Sequence, residues 1–200
     1  MDAEYCTKTG WLCLDFANTV DWHASCSPVE SLNNYADLIE WSVNTGIISG
    51  DAKDVLLRKS EEKPAAAQAV LEKAREIREN IYQILSDAVH GHPIKTTDLK
   101  VFNKALASML SHSRLAPYER GLMLDCGPCP DKLDSVIWPV VKSALNLMTS
   151  EAINRVGQCC DEKGCGWLFW DSSRNRSRRW CDMSDCGNRA KVRRFYAKSK

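Results

Sequence analysis

Four cysteines near the C-terminus carry the most specific chemistry in this chain. Cys160 and Cys165 enclose four residues, Cys181 and Cys186 enclose four more, and a glycine follows each pair (Gly166 and Gly187). Two such turns can each present two thiolates to one ion, as a tetrahedral all-cysteine zinc site requires. The glycines admit the positive φ that tight metal-binding turns use. A single pair would say little. Two matched pairs separated by a hairpin-like stretch point to structural Zn2+.

Around these cysteines the charge is lopsided. The net charge of the whole chain is +1, but residues 1–150 carry 15 Lys/Arg and 20 Asp/Glu, whereas residues 151–200 carry 12 and 6. Residues 174–200 alone hold 10 basic and 2 acidic side chains. Some arginines would offset the negative charge that four thiolates leave on a divalent ion. Two or three would suffice, so the excess implies a polyanion. Arg174, Arg176, Arg178, Arg179, Asn188, Arg189, Lys191, Arg193 and Arg194 are the candidate nucleic-acid contacts, with duplex DNA favoured over RNA.

Other chemistry is sparser. Asp15, Asn18 and Thr19 are polar residues within the apolar stretch LCLDFANTV. They read as caps and buried hydrogen-bonding groups, with a pocket for a small-molecule effector as the sharper alternative. Cys126-Gly127-Pro128-Cys129 has the spacing of a dithiol redox motif, but the alternating strands and helices that usually carry it are missing around it. The four histidines lack mutual ligand spacing. No phosphate-cradling glycine loop, nucleophile elbow or acid/base pair is present, so no enzyme activity is expected. The start of the chain shows no basic, apolar leader and no apolar run is long enough to span a bilayer, so a cytoplasmic location is the expectation.

The elements that must position these groups are mostly helical. Apolar spacing predicts helices over 31–46 and 51–60, a long one opened by Pro64 and stopped by Gly91, and another capped by Thr96 or Thr97. Residues 114–118 and 121–126 read as a hairpin. A helix over 131–155 follows, kinked at Pro139. In the metal segment, residues 166–171 and 178–181 are expected to pair as strands. A last helix then presents Val192, Phe195 and Tyr196 for packing on that hairpin. Residues 11–22 suit a strand or a helix entry equally.

Cys186-Gly187-Asn188-Arg189, preceded by WLFWDSSRNRSRRWC and followed by AKVRRFY, resembles the CGNR zinc finger. LCLDFANTVDW followed by DLIEW resembles the ABATE domain found upstream of that finger in bacterial proteins described as stress-induced transcription regulators. The resemblance implies a helical sensing or dimerising domain over 1–155 and a DNA-binding finger over 156–200. It places the metal ligands on Cys160, Cys165, Cys181 and Cys186, with Cys159 able to replace Cys160. The fold expected is a mainly α domain with a small hairpin plus a treble-clef-like finger, α+β overall. Two rival readings remain: a thiol redox sensor using Cys126 and Cys129, and a zinc-stabilised protein–protein adaptor.

Overall fold

In the computed structural model, which describes residues 5–118, 120–126 and 132–198, seven helices and three two-stranded antiparallel ribbons are built. The stretch that periodicity left undecided is a short helix, α1 (Leu12–Ala17), with Leu12, Leu14 and Phe16 fully buried. It packs against two longer helices of the body, described below. Strands β1 (Val20–Asp21) and β2 (Val29–Glu30) follow, with Val20 opposite Glu30.

Helix α2 (Tyr35–Asn44) starts later than spacing suggested, because Asn34 and Asp37 form a reciprocal capping box. Helix α3 (Gly50–Glu62) is capped by the Ser49 side chain, which accepts from the Ala52 N–H. Helix α4 (Pro64–His90) has the expected limits: Pro64 occupies the first turn, and Gly91 at φ 69° takes the left-handed stop. Its Leu71, Ala74, Ile77, Ile81 and Leu85 line the core, each large side chain contributing about 1.5–3 kcal/mol by burial.

Helix α5 (Thr96–Leu110) is not capped by either threonine: Lys95 precedes it, and Thr96 is already the first helical residue. The hairpin forms as expected, β3 (Arg114–Tyr118) against β4 (Gly121–Asp125), with Ala116 opposite Met123. The long helix expected after it is broken into pieces. A 3-10 turn over Ser135–Ile137 leads into α6 (Trp138–Met148), and a second over Glu151–Arg155 follows. Pro139 lies in the first turn of α6, so it opens that helix and does not kink it. Helix α1 is packed between α4 and α6, with α5 across both.

Strands β5 (Val156–Gln158) and β6 (Leu168–Trp170) pair antiparallel, and helix α7 (Asn188–Lys198) is the last of the described elements. The expected pairing of 166–171 with 178–181 does not form. β6 instead takes its partner from the residues before the first cysteines. Asp171 then holds the connection, accepting from the N–H groups of Ser173 (2.8 Å) and Arg178 (2.9 Å). Among the described residues no helix is long and apolar enough to cross a membrane.

Candidate metal centre and nucleic-acid interface

The β5–β6 ribbon decides which cysteines meet. Its register puts Gly157 opposite Phe169, and a Cβ on Gly157 would stand 2.7 Å from that ring. One residue past β5, the Cys159 N–H donates to the Trp167 carbonyl at 2.9 Å, while the Cys160 N–H donates to the Arg179 carbonyl at 2.9 Å. Neighbouring residues of an extended chain point to opposite sides. Cys159 is therefore buried, whereas Cys160 is exposed, its sulfur 3.6 Å from the Gln158 carbonyl.

The sulfurs of Cys159, Cys165, Cys181 and Cys186 all lie within 4.8 Å of one another. Cys165 to Cys181 and Cys181 to Cys186 are each 3.6 Å. A tetrahedral ion with metal–sulfur bonds of about 2.3 Å spaces its sulfurs by about 3.8 Å, so the donor set fits zinc. The fourth thiol of this group is Cys159 where the paired spacing pointed to Cys160. None of the described cysteines forms a disulfide.

The four clustered thiols shift one another's ionisation. Hydrogen bonds from the Cys165 and Cys181 thiols pull Cys159 far below the ordinary thiol range. The same sharing with Cys159 pushes Cys165 and Cys181 up, and burial pushes Cys186 up. One thiolate is thus stabilised at the cost of its neighbours, and a divalent ion would let all four ionise. Arg189 adds positive charge, its Nη2 donating to the Cys186 sulfur at 2.8 Å.

Asp161 ties α7 to the first cysteine turn. Its side chain is fully buried and accepts from the Lys163 N–H (3.0 Å), Arg189 Nε (3.0 Å) and Arg193 Nη2 (2.9 Å). Burial alone would raise its pKa, but these donors and the two guanidiniums hold it below the usual carboxylate range. Arg189 also pairs with Asp185.

The body supplies a seat for the same turn. The N–H groups of His23 and Ala24 donate to the carbonyls of Cys165 (3.0 Å) and Gly164 (3.1 Å). Gly164 (φ 87°) and Gly166 (φ 68°) lie so close to Ala24 and Ser25 that a Cβ on either would be 2.7 Å away. The Tyr82 hydroxyl donates to the Gly166 carbonyl at 3.1 Å. The Trp22 ring packs on the cysteine cluster with the Arg189 guanidinium 4.8 Å above it.

The expected nucleic-acid residues separate into two groups. Arg189 and Arg193 are held by Asp161, Asn188 donates to the Ser184 carbonyl, and Arg178 lies over Phe169 while donating to the carbonyls of Trp180 and Cys181. Arg174, Arg176, Arg179, Lys191 and Arg194 are exposed and make no ion pair with the described residues. Arg179 and Arg194 flank Trp180, 5.5 and 5.9 Å from its ring, beside a small groove. Val192, Phe195 and Tyr196 do not pack on a hairpin as expected: they are 54%, 69% and 65% exposed. The expected second strand is missing, which removes the surface they would have covered.

Asp15, Asn18 and Thr19 do line one cavity, of about 390 Å³, yet each has an internal partner. Asp15 accepts from the N–H groups of Lys8 and Thr9. Thr19 Oγ1 donates to the Phe16 carbonyl and accepts from Arg78. Asn18 grips β6, donating to the Leu168 carbonyl (2.8 Å) and accepting from its N–H (2.9 Å). Cys126 is buried, and Cys129 lies outside the described residues.

Sequence reasoning missed Asp161, Trp22 and Tyr82. An acidic residue directly after Cys159-Cys160 and the arginines of α7 were the available signal for Asp161. For Trp22 and Tyr82 no local signal exists, since both act on residues far along the chain.

Comparison with known families bears on the body as well as the cysteines. A model named ABATE, described as "Putative stress-induced transcription regulator", matches residues 10–151. The chain belongs to the ABATE family. The CGNR zinc finger model matches residues 155–199, so this ABATE chain carries that finger directly behind the family region. No curated protein matches the chain.

Proposed function

We propose that this ABATE chain is a transcription regulator: a helical sensing region over 1–155 followed by a zinc-bound, treble-clef-like finger over 156–200 that contacts duplex DNA. The observation that carries the reading is the division of the basic residues. Arg189 and Arg193 secure the finger, while Arg174, Arg176, Arg179, Lys191 and Arg194 face solvent. Zinc would be held by Cys159, Cys165, Cys181 and Cys186, and its chemistry there is structural: it fixes the turn on which α7 starts.

Five free cations set the expected salt response. With each phosphate contributing a slope of roughly −0.9, affinity falls with a log–log slope of about −4.5. Fluorescence anisotropy on labelled duplex across a salt series measures it. Arg179→Ala and Arg194→Ala weaken binding with zinc content unchanged. A flat salt response, or full affinity in both variants, refutes DNA contact by this surface. The exposed apolar side chains of α7 favour one second reading, a protein-docking finger. Genome-wide mapping of bound sites separates the two, because an adaptor yields no enriched sequence.

A further inference from the structure

Residues 172–180, which join β6 to Cys181, carry four arginines and no acidic side chain. At the tip of this connection the Arg176 N–H donates to the Ser173 carbonyl at 3.4 Å, closing a tight turn with Arg174 and Asn175 at its centre. Arg176 then takes φ 48°. The residue after such a turn is ordinarily glycine, and an arginine there is strained. Nothing inside the molecule accounts for it. Arg174 and Arg176 are exposed, and neither guanidinium has a hydrogen bond or ion pair with the described residues.

The turn is nonetheless stiff. At its root the buried Asp171 carboxylate accepts from the N–H groups of Ser173 (2.8 Å) and Arg178 (2.9 Å). Arg155 Nη1 braces the same place, donating to the carbonyls of Asp171 (3.1 Å) and Ser173 (3.3 Å). An arginine that strains its backbone and packs on nothing gives the fold no stability. Its use lies in what it reaches outside the chain.

We propose, resting on the regulator reading, that this turn and not helix α7 reads the DNA, entering the minor groove of A·T-rich duplex with Arg176 at its tip. The major groove, about 12 Å wide, is filled by a whole helix or ribbon. Helix α7 suits it poorly: Arg189 and Arg193 are committed to Asp161, and Val192, Phe195 and Tyr196 make its exposed side apolar. The minor groove is about 6 Å wide and narrows further in A·T tracts, where its negative potential draws arginine. A single turn whose arginines stand among Ser172, Ser173 and Ser177 is slim enough to enter. Asn175 can donate to the adenine N3 and thymine O2 acceptors on the groove floor. Arg179, Lys191 and Arg194 are left for the phosphates.

Fluorescence anisotropy of the zinc-loaded full chain on three labelled duplexes tests this: one A·T-rich, one G·C-rich, and the G·C-rich one with inosine in place of guanine. Inosine lacks the amino group that guanine places in the minor groove and keeps guanine's major-groove acceptors. Binding about tenfold tighter to the A·T-rich and inosine duplexes than to the G·C-rich one is expected. Netropsin, which occupies the minor groove, should displace the chain from the A·T-rich duplex. Arg176→Gly should abolish the preference and make the salt slope shallower by about 0.9. Its thermal midpoint should be no lower than the parent's, since glycine relieves the positive φ. Equal affinity for the three duplexes, no displacement by netropsin, or a preference that Arg176→Gly leaves intact overturns the proposal while DNA binding itself stands. A lowered midpoint in Arg176→Gly also overturns it, because the side chain would then serve the fold. Absence of binding to every duplex removes the regulator reading and this one with it.

Discussion

Replacing Cys159 and Cys160 one at a time with serine gives the most direct test of the cysteine geometry. Cys159 lies in a group whose sulfurs are within 4.8 Å of one another, while Cys160 is exposed beside the Gln158 carbonyl. Structural zinc binds with roughly 10–16 kcal/mol, so removing one of four thiolates should cost about 3 kcal/mol. At about 1.4 kcal/mol per decade, this is a loss of roughly 100-fold in zinc affinity for Cys159→Ser. Cys160→Ser should bind zinc as the parent does. Competition against a colorimetric chelator at fixed pH measures both, with metal content per chain as a check. The reasoning fails if Cys160→Ser releases the metal while Cys159→Ser retains it. Equal loss in both would show that the two donors exchange.

Asp161→Asn should destabilise the finger by about 3 kcal/mol, because it strips the charge from a buried carboxylate that two arginines face. In the parent this carboxyl titrates below its unfolded value, so its stabilisation is present above that value and is lost as pH falls through the lowered one. Acid denaturation followed at fixed zinc should show that loss in the parent and not in the variant. Gly164→Ala places a Cβ 2.7 Å from Ser25 at a φ of 87°, and a cost of about 2 kcal/mol or more should appear as a lowered thermal midpoint. Asn18→Ala removes both bonds to Leu168 and should cost about 2 kcal/mol. Hydrogen exchange should then show faster exchange at the Leu168 amide, and an unchanged rate would refute the grip.

The parts of the fold legible in the sequence were those fixed within a few residues. Pro64 and Gly91 bound α4 because each acts on its own backbone, and the α2 stripe of Leu38 and Ile39 reads directly as core. Cys181 and Cys186 meet as their spacing implied. The choice between Cys159 and Cys160 was not legible. Matched spacing favours Cys160, but the side each cysteine faces follows from β5 pairing with β6 and from the carbonyl each N–H finds. The broken helix over 135–155 shows the same limit: apolar spacing continues through it, while local turns interrupt the backbone. The exposure of Phe195 and Tyr196 follows from the lack of a strand pairing that alternation and a turn-like polar stretch suggested and the backbone does not make.

Asn18 and Leu168 stand 150 positions apart, and Leu168 is part of the helical core. During synthesis the ribosome releases one half of this contact long before the other exists. Until the last cysteines emerge, the proposed ion lacks its full donor set. If zinc holds those cysteines as proposed, a cell that withholds it, or a protease that trims the tail, would also strip the Asn18 side chain of its partner on β6. On that reading, metal supply would bear on the lifetime of the whole polypeptide.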